Sequence, residues 1–331
     1  MPLFSRILIL SIAAASLVVS AQNRQLRLVS TAWPPFTNAP GQPRFALDLV
    51  ENAFSRIGLS ANTAIVAAGK LTPSLLEGPF DGSGAVWKDP ERERVLLFSQ
   101  PYLENRLILV GRRGDDVSAT ALAGLKGKRV AIVEGYSYGD TIDNSGPTFV
   151  RSRSEEDSLA MLLRNAVDYT LMDELVVQYI VSNYANESRT RLQVGSTPLL
   201  IRPLYLAVRR SLPDAESIVD RFNAQLRGMI ADRTYHRLLH VDWIRADVDG
   251  DGLAENVPQS DQSGRLEPSS PYLLFSTEQA KGPQPRPAPQ RFYIGGTTYD
   301  NWAAVPERYK VEDPLHRDPS RGVVPIFKFT W

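Results

Sequence analysis

The chain has 331 residues, of which none is cysteine and only three are histidine. The lack of cysteine excludes disulfides, thiolate metal sites, a cysteine nucleophile and a cysteine for lipid attachment, and it leaves the redox compartment open. Basic and acidic residues balance at 37 each, so no net positive field favours nucleic acid as a partner. The histidines, at positions 236, 240 and 316, lie outside the ligand cleft predicted below. Hydrolase chemistry that needs a histidine base therefore lacks support.

Residues 1–21 have the features of a cleavable secretory signal peptide. Arg6 supplies a positive charge, residues 7–19 form an apolar run, and Val19-Ser20-Ala21 offers small residues before Gln22, the expected mature start. The alternative is an uncleaved membrane anchor, but the apolar run is shorter than the roughly 20 residues that a spanning helix needs. No other segment is apolar enough to span a bilayer. We therefore expect an exported, soluble protein in the periplasm.

The most informative stretch is residues 85–113, which places a charged turn between apolar segments. Pro90 sets the turn, because its φ angle is restricted and the residue before it is kept out of the helical region. The pattern resembles the signature T-P-E-R-x-x-x-V-x-F-S-x-P-Y of family 3 extracellular solute-binding proteins, the periplasmic receptors of amino-acid ABC importers. The matching residues are Asp89-Pro90-Glu91-Arg92, Val95, Phe98-Ser99 and Pro101-Tyr102.

The resemblance covers about residues 26–241 and implies an α/β fold, the two-lobed type II periplasmic-binding-protein fold. Each lobe would be a mostly parallel sheet flanked by helices, with two crossings between lobes that act as a hinge. The expected segments are residues 22–110 and 198–245 for lobe 1, 111–197 for lobe 2, and 246–331 for a C-terminal extension that is partly linker-like. Two crossing strands also imply closure of the lobes around a ligand.

The resemblance further implies a set of ligand-binding residues. Arg92 would clamp the ligand's carboxylate, since a planar guanidinium makes bidentate bonds that lysine cannot make. Ser137 would grip that carboxylate from the other lobe, Asp173 would take the ammonium, and the Trp33 ring would line one wall by stacking or cation–π contact. Each residue also has a structural alternative. In that alternative, Arg92 would pair with Glu91 in a solvated turn, Ser137 and Asp173 would cap helices, and Trp33 would belong to the core.

The strand before Arg92 departs from the family pattern. Typical members present small and hydroxyl residues there, and these bind the ligand, whereas this chain has Gly84, Ala85, Trp87 and Asp89. Trp87 stands where serine or threonine is usual. We therefore expect Trp87 to contact the ligand in a flatter, more aromatic pocket than a plain α-amino-acid site. Asp89 either pairs with a cation or caps the turn.

The C-terminal extension begins with an acidic loop. Asp247, Asp249 and Asp251 occupy positions one, three and five of a calcium-loop pattern, followed by glycine at position six. Position twelve is Pro258 rather than glutamate, and Glu255 is the available substitute. The alternative is a flexible acidic turn. Residues 260–290 are polar and proline-rich, as in a linker, and residues 292–331 regain aromatic side chains.

Three functional interpretations follow from these features. The first is a monomeric periplasmic binding protein, not an enzyme, that delivers an amino acid or a related carboxylate to an inner-membrane ABC permease and uses no cofactor apart from calcium. The second is an enzyme on the same scaffold, similar to periplasmic cyclohexadienyl dehydratase, with Glu174 or Asp89 as the acid. The third is a sensory or scaffolding protein that contacts a partner through its extension. The first interpretation predicts binding without turnover.

Overall fold

The computed structural model describes residues 24–142, 145–265, 267, 271–274 and 290–311. The predicted signal peptide lies outside these residues, as does most of the proline-rich segment. Within the described residues, no helix combines the length and the apolar character that crossing a membrane requires.

Nine strands form one mixed sheet with the order β2-β1-β3-β9-β5-β8-β6-β7, and β4 pairs with β9 beside this path. Their bounds are β1 Arg24–Thr31, β2 Leu59–Val66, β3 Gly82–Trp87, β4 Leu96–Phe98, β5 Leu103–Arg112, β6 Arg129–Val133, β7 Thr148–Ser152, β8 Tyr169–Asp173 and β9 Leu192–Arg209. The strand order divides the sheet into two parallel groups. Strands β2, β1 and β3 belong to lobe 1, and strands β8, β6 and β7 belong to lobe 2.

The antiparallel pair β5 and β9 joins the two lobes. Strand β5 pairs with β8 of lobe 2, whereas the C-terminal part of β9 pairs with β3 and β4 of lobe 1. The two strands also pair with each other from Leu103↔Leu204 to Arg112↔Leu192, with two register shifts between those ends. These are the two crossings expected from the sequence. The lobe boundaries at individual residues stay a prediction.

Helices cover the sheet and are positioned by their apolar faces. Helix α1 buries seven apolar residues against lobe 1, and its Phe54 ring lies 6.1 Å from the Phe222 ring of α7. Helix α4 begins directly after Ser154, whose hydroxyl accepts the Asp157 N–H as an N-cap. The helix bounds are α1 Phe45–Arg56, α2 Leu71–Leu76, α3 Pro90–Glu93, α4 Glu155–Leu163, α5 Glu174–Asn183, α6 Ala185–Arg191, α7 Ala215–Ala231 and α8 Thr234–Leu239.

The second strand differs from the sequence-based expectation, which places it at residues 65–68. Strand β2 begins at Leu59 because all eight of its residues pair in parallel register with β1. Ala68, the last residue expected in the strand, forms a short 3₁₀ turn with Gly69 and Lys70 instead. The start of β2 at Leu59 is decided by pairing with β1, which is distant in sequence, and the local apolar pattern does not indicate that pairing.

The extension forms a second, five-stranded sheet with the order β12-β10-β11-β13-β14, in which β10 begins three residues before the extension. Its strands are β10 Trp243–Ala246, β11 Glu255–Pro258, β12 Tyr272–Leu273, β13 Arg291–Ile294 and β14 Thr297–Tyr299. Buried Phe292 packs between the rings of Trp243 and Trp302 at 6.1 and 5.2 Å. The sheet also contacts lobe 1, since the His236 ring nitrogen Nε2 and the Val257 carbonyl lie 2.9 Å apart.

The extension reaches the hinge as well. The Tyr272 hydroxyl of β12 donates to the Glu104 carbonyl of β5 at 3.3 Å. Tyr272 thus joins the extension to a strand that crosses between the lobes.

The core between α1 and α7 makes a testable contribution to stability. Phe222 is buried, and its ring contacts Phe54 and Tyr102 edge to face. We expect Phe222→Ala to lower the free energy of unfolding by about 3–5 kcal/mol, because it removes buried apolar surface and leaves a cavity. Urea denaturation measures the change. The control Leu253→Ala, at a side chain that is 54% exposed, should change it by less than about 0.5 kcal/mol. Equal effects of the two substitutions would contradict this packing.

Candidate functional site

Arg92 lies in the cleft between the lobes, and its side chain is buried rather than solvated. Asp89 caps the short helix α3 by accepting the Arg92 N–H, which places the guanidinium beside the end of β3. The guanidinium donates to the Trp87 carbonyl at 2.9 Å and to the Thr72 hydroxyl at 2.8 Å. It also reaches the Gly135 carbonyl of lobe 2 at 3.4 Å. Burial lowers the pKa of Arg92, although the Asp89 carboxylate opposes this shift.

One carboxylate oxygen links the two lobes. Oδ2 of Asp89 forms an ion pair with Arg92 Nε at 3.3 Å and accepts a short hydrogen bond from the Ser137 hydroxyl. Ser137 belongs to the turn after β6, in lobe 2. The structure therefore brings Arg92 and Ser137 together, and both contact a carboxylate that belongs to the protein itself. Asp89 thus has both of the roles that the sequence offers as alternatives, since it caps the turn and pairs with a cation.

Three aromatic rings fill the space beside Arg92. The rings of Trp33, Trp87 and Tyr136 lie 5.6 Å from one another, with interplanar angles of 88°, 61° and 76°. Trp33 and Trp87 come from lobe 1, whereas Tyr136 comes from lobe 2, and its hydroxyl lies 3.4 Å from that of Thr31. The pocket that they line has room for only about one or two water molecules. The lobes are thus closed on their own side chains.

Asp173 is buried in the same region, and both of its oxygens accept hydrogen bonds within the protein. Its carboxylate caps α5 by accepting the Leu175 N–H at 2.8 Å, and it also accepts the Arg106 N–H and the Asn105 side-chain amide at 3.0 and 3.1 Å. Asn105 in turn accepts the Trp87 indole N–H at 2.7 Å. Burial raises the pKa of Asp173 to about 7 despite these donors. Asp173 is therefore a helix cap, and Trp87 lies in contact with the side chain that Asp173 binds.

Glu155 is a buried cleft residue that the sequence analysis missed. It is the first residue of α4 in lobe 2, and its carboxyl faces the Trp33 indole of lobe 1 without a hydrogen bond of ordinary geometry. Burial, together with the like charges of Glu156 and Asp173, raises the pKa of Glu155 to about 8, and the Trp33 indole opposes this shift. An acidic residue after a serine cap is typical of any helix start, so the sequence around Glu155 does not indicate that its side chain is buried.

Residues Gly135, Ser137 and Gly139 also form the pattern G-x-S-x-G, which occurs at the nucleophile of many hydrolases. Hydrolases of that kind place the serine between a strand and a helix, next to a histidine base. Here the serine hydroxyl donates to a carboxylate, and the buried His236 bonds to the extension instead. A short 3₁₀ turn, Asp140–Ile142, follows the motif. The motif therefore does not support hydrolase chemistry.

The acidic loop of the extension brings three carboxylates together. Oxygens of Asp247, Asp249 and Glu255 lie within 4.8 Å of one another, so Glu255 joins the group as the sequence suggested. Asp251, the third predicted ligand, instead pairs with Arg291 at 2.7 Å. The Arg291 guanidinium also contacts Glu255 at 3.0 Å and Asp249 at 3.4 Å. The protein thus pairs three of these acids with a cation of its own, and calcium binding stays a prediction.

Glu155 should make stability depend on pH. Its pKa is higher in the folded state than the ordinary value of 4.5, so the folded state binds more protons between that value and about pH 8. The free energy of unfolding should therefore fall as pH rises through this window, by an amount on the order of a few kcal/mol. Urea denaturation at pH 6 and pH 9 tests this. Glu155→Gln should reduce the loss, and Glu216→Gln, at an exposed acid in the first turn of α7, should leave it unchanged. An equal loss in Glu155→Gln would contradict the buried, protonatable state.

The calcium prediction can be tested on the same protein. If calcium replaces Arg291 between the acidic side chains, then about 1 mM calcium should raise the melting temperature, because a ligand of the native state stabilises it. Asp249→Asn should abolish the shift. Asp300→Asn, at an exposed acid outside the loop, should retain it. A melting temperature that does not respond to calcium would identify the loop as an arginine-paired turn.

Comparisons with known proteins agree with this architecture. The sequence matches the bacterial extracellular solute-binding proteins, family 3, over residues 27–245. It is 27% identical over 221 residues to ABC transporter arginine-binding protein 1 of Escherichia coli (strain K12), covering 63% of this chain and 86% of that protein. It is also 26% identical over 155 residues to virulence sensor protein BvgS of Bordetella pertussis (strain Tohama I), covering 46% of this chain and 12% of that protein.

Solved structures extend the likeness to the fold. A periplasmic binding protein of the arginine 3rd transport system from Legionella pneumophila has a TM-score of 0.55 at 22% identity, over 66% of this chain and 99% of that one. The GluR0 ligand-binding core from Nostoc punctiforme, in complex with L-glutamate, has a TM-score of 0.54 at 20% identity, over 64% and 96%. These values confirm the type II periplasmic-binding-protein fold. Because the family match spans well over half of the sequence, this chain belongs to the family 3 bacterial extracellular solute-binding proteins.

Proposed function

We propose that this protein captures a small carboxylate-bearing solute, an amino acid or a derivative, in the periplasm and delivers it to an inner-membrane ABC permease. The proposal rests on Asp89 Oδ2, the oxygen that Arg92 of lobe 1 and Ser137 of lobe 2 contact together. A site that holds one carboxylate from both lobes has the donors to hold another. The curated relative from Escherichia coli, named as an arginine-binding protein of an ABC transporter, supports the same class of solute.

Binding in this scheme is a displacement. The ligand carboxylate takes the place of the Asp89 carboxylate on Arg92 and Ser137, since a buried guanidinium without an anion would bear the full cost of its desolvation. Asp89 remains partly bonded, because its other oxygen caps α3. The ligand must also separate Tyr136 of lobe 2 from the Trp33 and Trp87 rings of lobe 1. Both steps require the lobes to open first, and β5 and β9 are the strands about which they would turn.

An enzymatic function receives less support from the site. The two proposed acids are both engaged, Asp89 with Arg92 and Ser137, and Glu174 with Arg106 at 3.5 Å. The relatives reported above are named as binding proteins and a sensor rather than as dehydratases. We therefore propose binding and transport without chemistry, and a monomeric protein.

A sensory function is the second candidate, and one observation favours it. The extension, which lies outside the family match, bonds to hinge strand β5 through Tyr272. An opening of the lobes would change the surface on which Tyr272 rests, so a partner of the extension would sense the state of the cleft. Transport requires no such contact. Loss of a ligand-dependent partner interaction in Tyr272→Phe, with ligand affinity unchanged, would favour sensing over transport.

The displacement scheme predicts opposite effects of two substitutions. Arg92→Lys should weaken binding of a carboxylate about 30-fold or more, roughly 2 kcal/mol, because a buried, bidentate charge pair is lost. Asp89→Asn should tighten binding, because the internal competitor for Arg92 is neutralised. Glu91→Gln removes a charge from an exposed neighbour and serves as the control.

Calorimetric titration of the full chain with L-arginine, L-glutamate and succinate measures these affinities. Thermal unfolding of each variant verifies that it remains folded. Weaker binding in a folded Asp89→Asn protein would contradict displacement. Unchanged binding in Arg92→Lys would remove the site itself.

A further inference from the structure

Glu155 is a buried acid of the cleft that forms no ion pair with a basic side chain among the described residues. Its side chain is 9% exposed, and its Oε2 has no hydrogen-bond partner. No ion pair joins it to a lysine, arginine or histidine within the described parts of the chain. A buried acid in this state carries a desolvation cost that a cation would offset.

The surroundings of Glu155 add negative rather than positive charge. Glu156 on the same helix and Asp173 at the start of α5 both act on it as like charges. Aromatic groups also face it, namely Trp33 from lobe 1 and Tyr136 and Tyr138 from the turn after β6, and the positive charge of Arg151 in β7 acts on Tyr138. The indole N–H of Trp33 is likewise buried without a hydrogen-bond partner. An acid on one lobe and an aromatic ring on the other form two sides of a site for a cation.

Asp173 does not compete for this role. The family resemblance gives it the ligand's ammonium, but both of its oxygens accept hydrogen bonds from Leu175, Arg106 and Asn105. Asn105 is further fixed by the Trp87 indole. A ligand ammonium at Asp173 would compete with three donors that already bind it, whereas Glu155 Oε2 has no hydrogen bond of ordinary geometry and only the Trp33 indole facing it. Resting on the function proposed above, we propose that Glu155 receives a positively charged ammonium or guanidinium group of the ligand and so selects carboxylates that also carry a cation.

Cation binding at Glu155 has a proton signature. The free protein holds Glu155 largely protonated at pH 7, because burial raises its pKa to about 8. A bound cation favours the ionised form and lowers this pKa, so binding releases a proton and affinity rises with pH up to about 8. Calorimetry at pH 7 in two buffers of different ionisation enthalpy counts the released protons. We expect Glu155→Gln to release about one proton fewer per bound ligand than the unmodified protein.

Four probes separate the charges of the ligand. L-Arginine carries a carboxylate and two cations, L-citrulline lacks the guanidinium charge, Nα-acetyl-L-arginine lacks the ammonium charge, and succinate has no cation. At least one of the two analogues should bind the unmodified full chain about 30-fold or more weakly than L-arginine. In Glu155→Gln this difference should shrink below about threefold. Glu156→Gln, with the same charge change one residue away, should retain it.

The outcomes distinguish this inference from the proposed function. A difference between L-arginine and its analogues that persists in Glu155→Gln, or proton release that this variant leaves unchanged, overturns the role of Glu155. Binding of succinate alone, lost in Arg92→Lys, overturns the role of Glu155 and leaves the carboxylate-binding function intact. Failure of all four probes to bind at millimolar concentration contradicts both. A difference confined to proteins that retain Glu155, accompanied by proton release, supports the inference.

Discussion

The structure depends on a buried guanidinium that must be matched by an anion. Arg92 is almost completely removed from water, with hydrogen bonds from both lobes converging on it. Desolvation of a charge is costly unless a partner of opposite sign and further hydrogen bonds compensate. Asp89 supplies the charge, and the Trp87 and Gly135 carbonyls supply bonds. Since Gly135 and Ser137 belong to the opposite lobe, satisfying Arg92 also holds the lobes together.

This arrangement makes the closed state available without a ligand. Asp89 occupies the guanidinium, Tyr136 occupies the space between the two tryptophans, and Asp173 caps its helix. Each contact that a ligand would make at these residues already has an internal counterpart. Ligand binding then becomes an exchange of partners whose net free energy is a difference between similar terms. The affinity of such a site depends most on a contact that has no internal counterpart. In our proposal this is the contact between Glu155 and the cation of the ligand.

The charges of the cleft show why its two ends differ. Arg92 and Asp89 neutralise each other, whereas Glu155 and Asp173 have no basic partner among the ion pairs described above. Burial therefore favours the protonated forms of both acids. The extension adds a further element, because it rests on β5 through Tyr272 and so contacts a strand that connects the lobes. Cleft chemistry and extension are thus linked through one hinge strand.

The sequence by itself determined the two-lobed fold and predicted Arg92 and Ser137 in one site, since a long motif at fixed offsets specifies the turn after β3 and the family resemblance implies the lobes. Tertiary structure alone decided the strand order, which carboxylate Arg92 meets, that both Asp173 oxygens accept hydrogen bonds, and that Glu155 is buried. The sequence around Asp89 and around Glu155 is that of an ordinary helix start, because capping and the helix dipole favour carboxylates there in any protein. What separates them is contact with the opposite lobe, and contact between residues far apart in the chain depends on packing that local sequence patterns do not encode.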